Sequence, residues 1–408
     1  MFIQYIIAIL IGIIAGTITG LTPGIHVNLI SIIVLSLSPA LLVYTTPLSL
    51  AIFITAMAIT HTFLDFIPSI LLGAPDEDTV LSILPGHRLL LKGHAYFGII
   101  FTLYGSVAAL FIIILITPLL ILLLPLIYPY LQKIMGFILI SLSILIIIRE
   151  PNKKIWTIII FLLAGFLGIA SLNVNLKEPL LPLLTGLFGA SGLCMSIKQN
   201  TSIPHQLIVP ITKIKLSSTS IIRSSIAAII ASPFMAFLPG LGSSQAALLG
   251  KEIVNSKDQR EYLFLIGAIN TIVMGVSFIV LYSIQKSRTG AAATIAQLIP
   301  EFTFNNLLFL IGTIIIAGIS SFFLTIFIAK YAVKSIHKIN YSKLSMSIIF
   351  ILLIIIFIFS DNTFQGKITA LLVFMTSTTL GVFTIMSGVQ RIHLMGSLLI
   401  PTILFYTI

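Results

Sequence analysis

The sequence predicts an all-α integral membrane protein with about ten transmembrane helices plus re-entrant hairpins, arranged as two inverted structural repeats. Three observations support this prediction: an apolar composition, apolar runs of bilayer length, and Pro-Gly breaks that recur in both halves. Of the 408 residues, 58% are hydrophobic and 8% are charged, and the mean hydropathy is +1.19. This composition excludes a water-soluble globular protein.

The apolar runs are long and continuous, which indicates helices. A helix needs about 20 apolar residues to cross the hydrocarbon core, and such runs lie at 263–284, 307–333, 344–360 and 368–390. They do not alternate apolar and polar residues as strands of a membrane β-barrel would. The N-terminal "MFIQYIIAILIGIIAG" lacks a basic segment, so we expect it to belong to the mature bundle rather than to a removable signal peptide.

The basic residues occur in short clusters between the apolar runs. The net charge is +11, but Lys and Arg do not follow one face, so the positive-inside rule explains them better than a nucleic-acid partner. Segment 330–343 has Lys330, Lys334, Lys338 and Lys343 and no acid, which is the strongest indication of a cytoplasmic loop. We therefore expect a multi-pass protein of the plasma membrane that binds no nucleic acid.

Two Pro-Gly motifs indicate an internal duplication. A shift of 216 residues places "GLTPGIHVN" over "AFLPGLGSSQ", so that Pro23 pairs with Pro239, Gly24 with Gly240 and Asn28 with Ser244. A shift of 215 residues pairs Thr79 with Thr294. A polar segment with two prolines separates the halves, which predicts a first repeat at 1–200, a linker at 201–218 and a second repeat at 219–408.

The charge clusters predict that the two repeats are inverted. If each Pro-Gly motif is a re-entrant hairpin, each half crosses the membrane five times, and the basic clusters all fall on the cytoplasmic side. An odd number of crossings per repeat reverses the second repeat. The expected spans lie at 47–73, 94–128, 129–148, 155–175, 176–199, 263–284, 307–333, 344–361, 368–390 and 391–408.

The Pro-Gly motifs are also the first candidate binding site. Backbone freed from a helix at membrane depth is tolerated where it lies within protein or lines a cavity, and the helix after each break presents unpaired N–H groups. Two such helix N-termini would attract an anion. Pro and Gly can alternatively kink packed helices, but for a symmetric pair we favour a site. Its polar candidates are Thr22, His26, Asn28, Ser243 and Ser244.

A second candidate site contains the ionisable residues of the apolar spans. His61 and Asp65 lie four residues apart, so a helix places them on one face, and Asp65 with His61 as its partner would bind a proton or sodium ion. Alternatively, Asp65 reaches the membrane interface just before Gly73. Asn270 lies within a long apolar span, where it either bonds a neighbouring helix or lines a polar path. Thr79 and Thr294 are further candidates for the pathway lining.

Four motifs resemble a known family. They are "GTITGLTPGIH", "LLGAPDEDTVLSILPGHRLLLKGHAYFG", "LLTGLFGASGL" and "SPFMAFLPGLGSSQAALLGKE". Their order and spacing resemble the large permease subunit of tripartite tricarboxylate transporters, the TctA family. The resemblance implies an inverted-repeat transporter of organic carboxylates, driven by an ion gradient, with a small membrane subunit and an extracytoplasmic solute-binding protein as partners. The family pattern covers Pro23, Gly24, Pro239, Gly240 and Asn270.

The function expected from these features is secondary active transport of a small organic anion, a di- or tricarboxylate, by alternating access with an ion gradient. We expect no enzyme activity and no cofactor beyond a coupling Na⁺ or H⁺; membrane lipids surround the bundle. The alternative is a translocase for a lipid-linked phosphate such as a polyprenyl phosphate, since helix N-termini would hold a phosphate equally well. A third and weaker reading is an intramembrane hydrolase that uses Ser243 or Ser244 beside a histidine.

Overall fold

A computed structural model of the chain describes residues 2–22, 27–73, 83–148, 150, 153–174, 176–198, 203–236, 243–254, 258–287, 289–337 and 340–407. Every regular element in these residues is a helix, as the composition predicts. The first half contains α1 (Phe2–Leu21), α2 (Val27–Leu41), α3 (Pro47–Leu64), α4 (Phe66–Leu72), α5 (Ile83–Leu91), α6 (Ala95–Ile148), α7 (Lys154–Asn173), α8 (Leu180–Leu184), the π-helix Thr185–Ala190 and α9 (Ser191–Lys198).

The second half continues the all-helical pattern after a short linker. It contains α10 (Ser218–Ala236), α11 (Ser243–Val254), α12 (Gln259–Ile284), α13 (Gly290–Leu298), α14 (Phe304–Ile336), α15 (Tyr341–Phe359), α16 (Phe364–Met386), the 3₁₀ turn Arg391–Met395 and α17 (Gly396–Thr407). Helices end before and begin after both Pro-Gly motifs, at Leu21 and Val27 and at Ala236 and Ser243.

Within the described ranges, nine helices are long and apolar enough to cross a membrane. The chain is therefore an all-α, multi-pass protein of the plasma membrane. The nine differ in detail from the ten expected spans. Helix α1, with 20 residues, is long enough to cross, whereas α17 in the expected span 391–408 has only 12 residues.

The expected spans 94–128 and 129–148 form one helix, α6, of 54 residues. At 1.5 Å per residue its axis is about 80 Å long, more than twice the thickness of the hydrocarbon core. Pro118, Pro125 and Pro129 lie inside α6, around the expected boundary between the two spans. Proline is tolerated inside membrane helices because neighbouring groups satisfy the freed carbonyls, which is why three prolines do not end the helix.

Two spans form the centre of the bundle. In the most apolar stretch of each span, 94% of the residues of α3–α4 and 100% of those of α12 are buried, compared with 17% in α1. Helix α12 packs along α6, and α3 packs along α1 and α14. The polar residues of α3 and α12 are therefore shielded from lipid.

Glycines allow the central helices to approach closely. A Cβ added at Gly105 of α6 would overlap the carbonyl group of Phe264, and one added at Gly267 of α12 would overlap the carbonyl group of Thr102. Small residues at such crossings are typical of membrane helix pairs. Along α1, Gly16 meets the Met57 carbonyl of α3 in the same way.

The last helices of each half pack against helices of the other half. Helix α7 of the first half packs against α17 of the second, and α16 of the second half packs against the π-helix of the first. Helices α10 and α11 pack against each other, whereas α2 packs against α13 and α3. The re-entrant arrangement of the Pro-Gly motifs stays a prediction. The limits of the two repeats stay a prediction, but this reciprocal packing is the pattern that a duplicated chain would give.

The linker between the halves is held against the first half. Gln206 donates a hydrogen bond to the Leu90 carbonyl at 2.9 Å, and the hydroxyl group of Tyr104 donates to the Ile211 carbonyl at 2.9 Å. These bonds fix the described linker residues 203–217 beside α5 and α6.

Candidate functional site

Asp65 lies at the junction of α3 and α4, inside the bundle. Its relative exposure is 3%. Pro68 has no N–H group, so the Leu64 carbonyl loses its usual helical donor beside Asp65. An ionisable residue at this depth is costly and therefore usually functional. The alternative that Asp65 lies level with the membrane interface stays a prediction, but its side chain is enclosed by protein.

Asn270, in the middle of α12, contacts Asp65 directly. Its Nδ2 donates a hydrogen bond of 2.8 Å to Oδ2 of Asp65, and Asn270 itself is 1% exposed. Hydrogen bonds to a charged acceptor are stronger than those between neutral groups. Two residues that the sequence nominated separately, one in each half, thus belong to the same site.

Threonine hydroxyl groups extend the contact along α3 and α12. Oγ1 of Thr62 lies 3.2 Å from Oγ1 of Thr271, one residue after Asn270. Helix α3 makes a similar contact with α14, where Oγ1 of Thr60 accepts a hydrogen bond of 2.9 Å from Ser321. We call Asp65, Asn270, Thr62 and Thr271 the central polar cluster.

His61 lies one helical turn before Asp65 and is also buried, with 3% exposure. Its Nδ1 lies 3.0 Å from Oγ1 of Thr19 in α1. The expected partnership of His61 with Asp65 stays a prediction. The geometry adds a contact from His61 to α1, so that α1, α3 and α12 are joined through consecutive polar groups.

Asn28 connects the first Pro-Gly motif to the second half. Its Oδ1 accepts a hydrogen bond of 2.9 Å from the backbone N–H of Gly290, the first residue of α13. Thr289 is the N-cap of α13: its hydroxyl oxygen accepts from the N–H of Ala292 at 3.1 Å and its hydroxyl group donates to Ser277 at 3.1 Å. An amide oxygen therefore lies at the positive end of α13.

The remaining predicted site residues fall into two groups. Thr22 follows the last residue of α1, Ser243 is the buried first residue of α11, and Thr294 is buried in α13 with 2% exposure. Ser244 is the second residue of α11, and its side chain is outside the description. Outside the described residues altogether are Pro23, Gly24, His26, Thr79, Pro239 and Gly240. The anion cradle at the Pro-Gly motifs thus stays a prediction.

Sequence reasoning did not nominate a second buried polar group near the end of the chain. Nε2 of His393 lies 2.8 Å from Oε2 of Glu150, and their side chains are 1% and 4% exposed. Two residues before His393, Arg391 contacts the π-helix. The lone arginine in "SGVQRIHLMG" is the signal that the sequence offers for this region.

The comparisons with known proteins agree with the motifs. Residues 6–396 match the family described as the tripartite tricarboxylate transporter TctA family. The chain is also 30% identical over 404 residues to an uncharacterized protein of Methanocaldococcus jannaschii, with 98% of each chain covered. No solved structure matches. The resemblance of the sequence motifs is confirmed, and the chain belongs to the TctA family of tripartite tricarboxylate transporter permeases.

Proposed function

We propose that the protein moves a small organic anion, a di- or tricarboxylate, across the membrane by alternating access, and that a Na⁺ or H⁺ gradient drives it. The observation that supports this best is the buried contact between Asp65 and Asn270. It places an ionisable group between the two halves, at the centre of the bundle. A carboxylate in that position is suited to bind a cation and release it again.

The pair offers a physical means of coupling. The Asn270 amide has both donor and acceptor groups, whereas an ionised Asp65 only accepts. A proton or Na⁺ bound at Oδ2 of Asp65 would compete with Nδ2 for that oxygen, and the amide would then turn its own oxygen toward the cation or the new O–H group. Because the two residues belong to different halves, cation binding would change the contact between the α3–α4 junction and α12.

The anion in this proposal binds near helix N-termini. The N–H group of Gly290 donates a hydrogen bond to the amide oxygen of Asn28, and a substrate carboxylate oxygen would suit the same kind of donor. Ser243 begins another helix and is buried. We propose that the anion path is lined by Thr22, Pro23, Gly24, His26, Asn28, Thr79, Pro239, Gly240, Ser243, Ser244, Asn270 and Thr294, with His61 and Asp65 at the cation site.

The family match also suggests the partners. Because the chain belongs to a family of tripartite transporters, we propose that a small membrane subunit and an extracytoplasmic solute-binding protein work with it. In this arrangement the binding protein delivers the anion, and the permease supplies the path through the membrane.

Uptake by the purified protein in proteoliposomes tests the proposal. Labelled succinate and citrate are supplied at saturating external concentration, so that delivery by a binding protein is not limiting, with an inward Na⁺ gradient in one arm and an inward proton gradient in the other. We expect uptake in at least one arm, and its collapse by an ionophore for that cation. Uptake that is independent of both gradients, or the absence of any uptake, would contradict the proposal. A parallel assay of polyprenyl phosphate flipping tests the alternative.

A further inference from the structure

Arg391 is a part-buried cation at a junction between the halves. It lies in the 3₁₀ turn between α16 and α17, and its Nη2 donates to the Phe188 carbonyl of the π-helix and to Oγ of Ser191 at 3.2 Å. Its Cζ lies 5.6 Å from the centre of the Phe188 ring. Burial, and to a smaller extent the charge of Arg391, lowers the pKa of His87 in α5. The guanidinium group is therefore surrounded by elements of the first half.

The charge of Arg391 has no counter-charge in the described part of the chain. The ion pairs found there join Arg260 to Asp258 and His393 to Glu150. The groups that accept hydrogen bonds from Arg391 are backbone carbonyls and one hydroxyl group. A cation removed from water is costly unless an anion balances it, so this position favours an anionic ligand.

Most of the hydrogen-bonding capacity of Arg391 is unused by the described residues. A guanidinium group has five N–H donors, of which Nη2 carries two, Nη1 two and Nε one. All three hydrogen bonds of Arg391 leave from Nη2. Nε is buried without an acceptor, and no described atom accepts from Nη1. The Nη1 side is thus available to a ligand.

Gly192 faces this unused side and has no side chain of its own to cover it. A Cβ added at Gly192, in α9, would lie 3.4 Å from Nη1 and 3.9 Å from Nη2 of Arg391, and among the described residues outside its own stretch of helix it would meet nothing else within 4 Å. Gly192 is therefore a position where a side chain would enter the space in front of the guanidinium group.

We infer that Arg391 binds one carboxylate group of the transported anion in the space between its Nη1 and Gly192. The inference rests on the proposed function, and it adds a residue that recognises the anion. Arginine suits a carboxylate because its donors are fixed in one plane and always charged. The predicted topology places the turn at 391 on the cytoplasmic side, so Arg391 would hold the anion where it enters or leaves the cytoplasm.

A purely structural role gives different expectations. The contacts of Nη2 supply donors to π-helix carbonyls, which lack their usual α-helical partners. If that were the only role, removing Arg391 would lower thermal stability and leave the affinity for anions unchanged. If Arg391 binds the anion, its removal should instead lower the affinity of the protein for anions.

The test compares wild-type protein, Arg391→Gln and Arg391→Lys in two measurements. One is the rise in melting temperature caused by succinate, citrate or inorganic phosphate, which reports binding without transport. The other is uptake into proteoliposomes. We expect Arg391→Gln to raise KM about tenfold or more and to abolish the anion-dependent rise, because a charge-assisted hydrogen bond is lost. The KM and the anion-dependent rise of Arg391→Lys should lie between those of the wild-type protein and those of Arg391→Gln. Arg260→Gln, at an exposed guanidinium group, is the matched control and should change neither.

The outcomes separate this inference from the proposed function. Wild-type uptake with an unchanged KM in Arg391→Gln overturns the inference alone. An anion-dependent rise in melting temperature that needs Arg391, without any uptake, supports the site and overturns the proposed transport. A wild-type protein that no anion stabilises overturns the site.

A second variant keeps the test decisive if Arg391→Gln does not fold. Gly192→Val keeps the guanidinium group of Arg391 but places a side chain beside its Nη1. We expect it to raise KM for both carboxylates, whereas Gly312→Val, at a glycine whose Cβ would meet nothing within 4 Å, should not. Equal KM values in the two glycine variants would overturn the inference.

Discussion

Asn270 donates a 2.8 Å hydrogen bond to Asp65 across 205 residues of sequence, and both side chains are buried. The bond joins the helix junction of α3 and α4 to the middle of α12. A contact between these two segments therefore depends on the state of a single carboxyl group. The predictions below begin with this pair.

Asp65→Asn should abolish the stimulation of uptake by a cation gradient while the protein still folds. The amide keeps the size of the side chain but has no charge to be balanced by Na⁺ or H⁺. The measurement is the ratio of uptake with and without the gradient. Asp258→Asn is the matched control: Asp258 is the N-cap of α12, and asparagine caps helices as well as aspartate does. If the gradient stimulates uptake equally in Asp65→Asn and in the wild-type protein, Asp65 does not take part in coupling.

Asn270→Ala should reduce kcat/KM for the anion about tenfold to a hundredfold, because a hydrogen bond to a charged group contributes roughly 1.5–3 kcal/mol. Its control is Asn305→Ala, at an exposed asparagine near the start of α14. The loss should depend on the cation concentration if Asn270 acts through Asp65. A loss of the same size at every cation concentration would assign Asn270 to the anion path alone.

Gly290→Val should impair transport and lower stability by about 1–3 kcal/mol, the usual effect of overpacking. A Cβ at Gly290 would lie 2.8 Å from Cβ and Cγ of Asn28 and would displace the amide from the start of α13. Gly312→Val is the control, since it enters open space. Thermal unfolding in detergent and uptake are both measured. Wild-type behaviour of Gly290→Val would show that the contact between α2 and α13 is dispensable.

Glu150→Ala should destabilise the protein by about 1–3 kcal/mol, because it leaves the buried imidazole of His393 without its hydrogen-bond acceptor. The buried pair joins the segment after α6 to the turn before α17. Breaking the exposed pair by Arg260→Ala should cost only about 0–1 kcal/mol. Replacing both Glu150 and His393 by leucine should restore part of the stability. If the single and double variants are equally unstable, the packing at this position matters more than the hydrogen bond between Glu150 and His393.

Much of the architecture follows from the sequence. Composition and run length require a helical membrane protein, and Pro-Gly motifs locate two helix ends because proline and glycine interrupt helical hydrogen bonding. Helix α6 was expected as two spans, and three internal prolines did not divide it. Its continuity depends on neighbouring helices, which a local pattern does not contain.

The site was predictable only in parts. Asp65 and Asn270 stood out singly because polar side chains are expensive in apolar spans. Their contact was not predictable, since it depends on how α3 and α12 pack. Arg391 was missed because an arginine at the end of a span usually reports topology, and only the neighbouring π-helix shows that its charge faces inward.

The exchange of terminal helices has a consequence for how the chain is made. Helix α7 packs against α17, which is the last helix of the chain. During synthesis α7 therefore enters the bilayer long before its partner leaves the ribosome, and lipid or an insertion factor must cover its contact face meanwhile. Neither half is a finished folding unit, so the gene cannot be divided at the linker unless both fragments are produced in the same membrane.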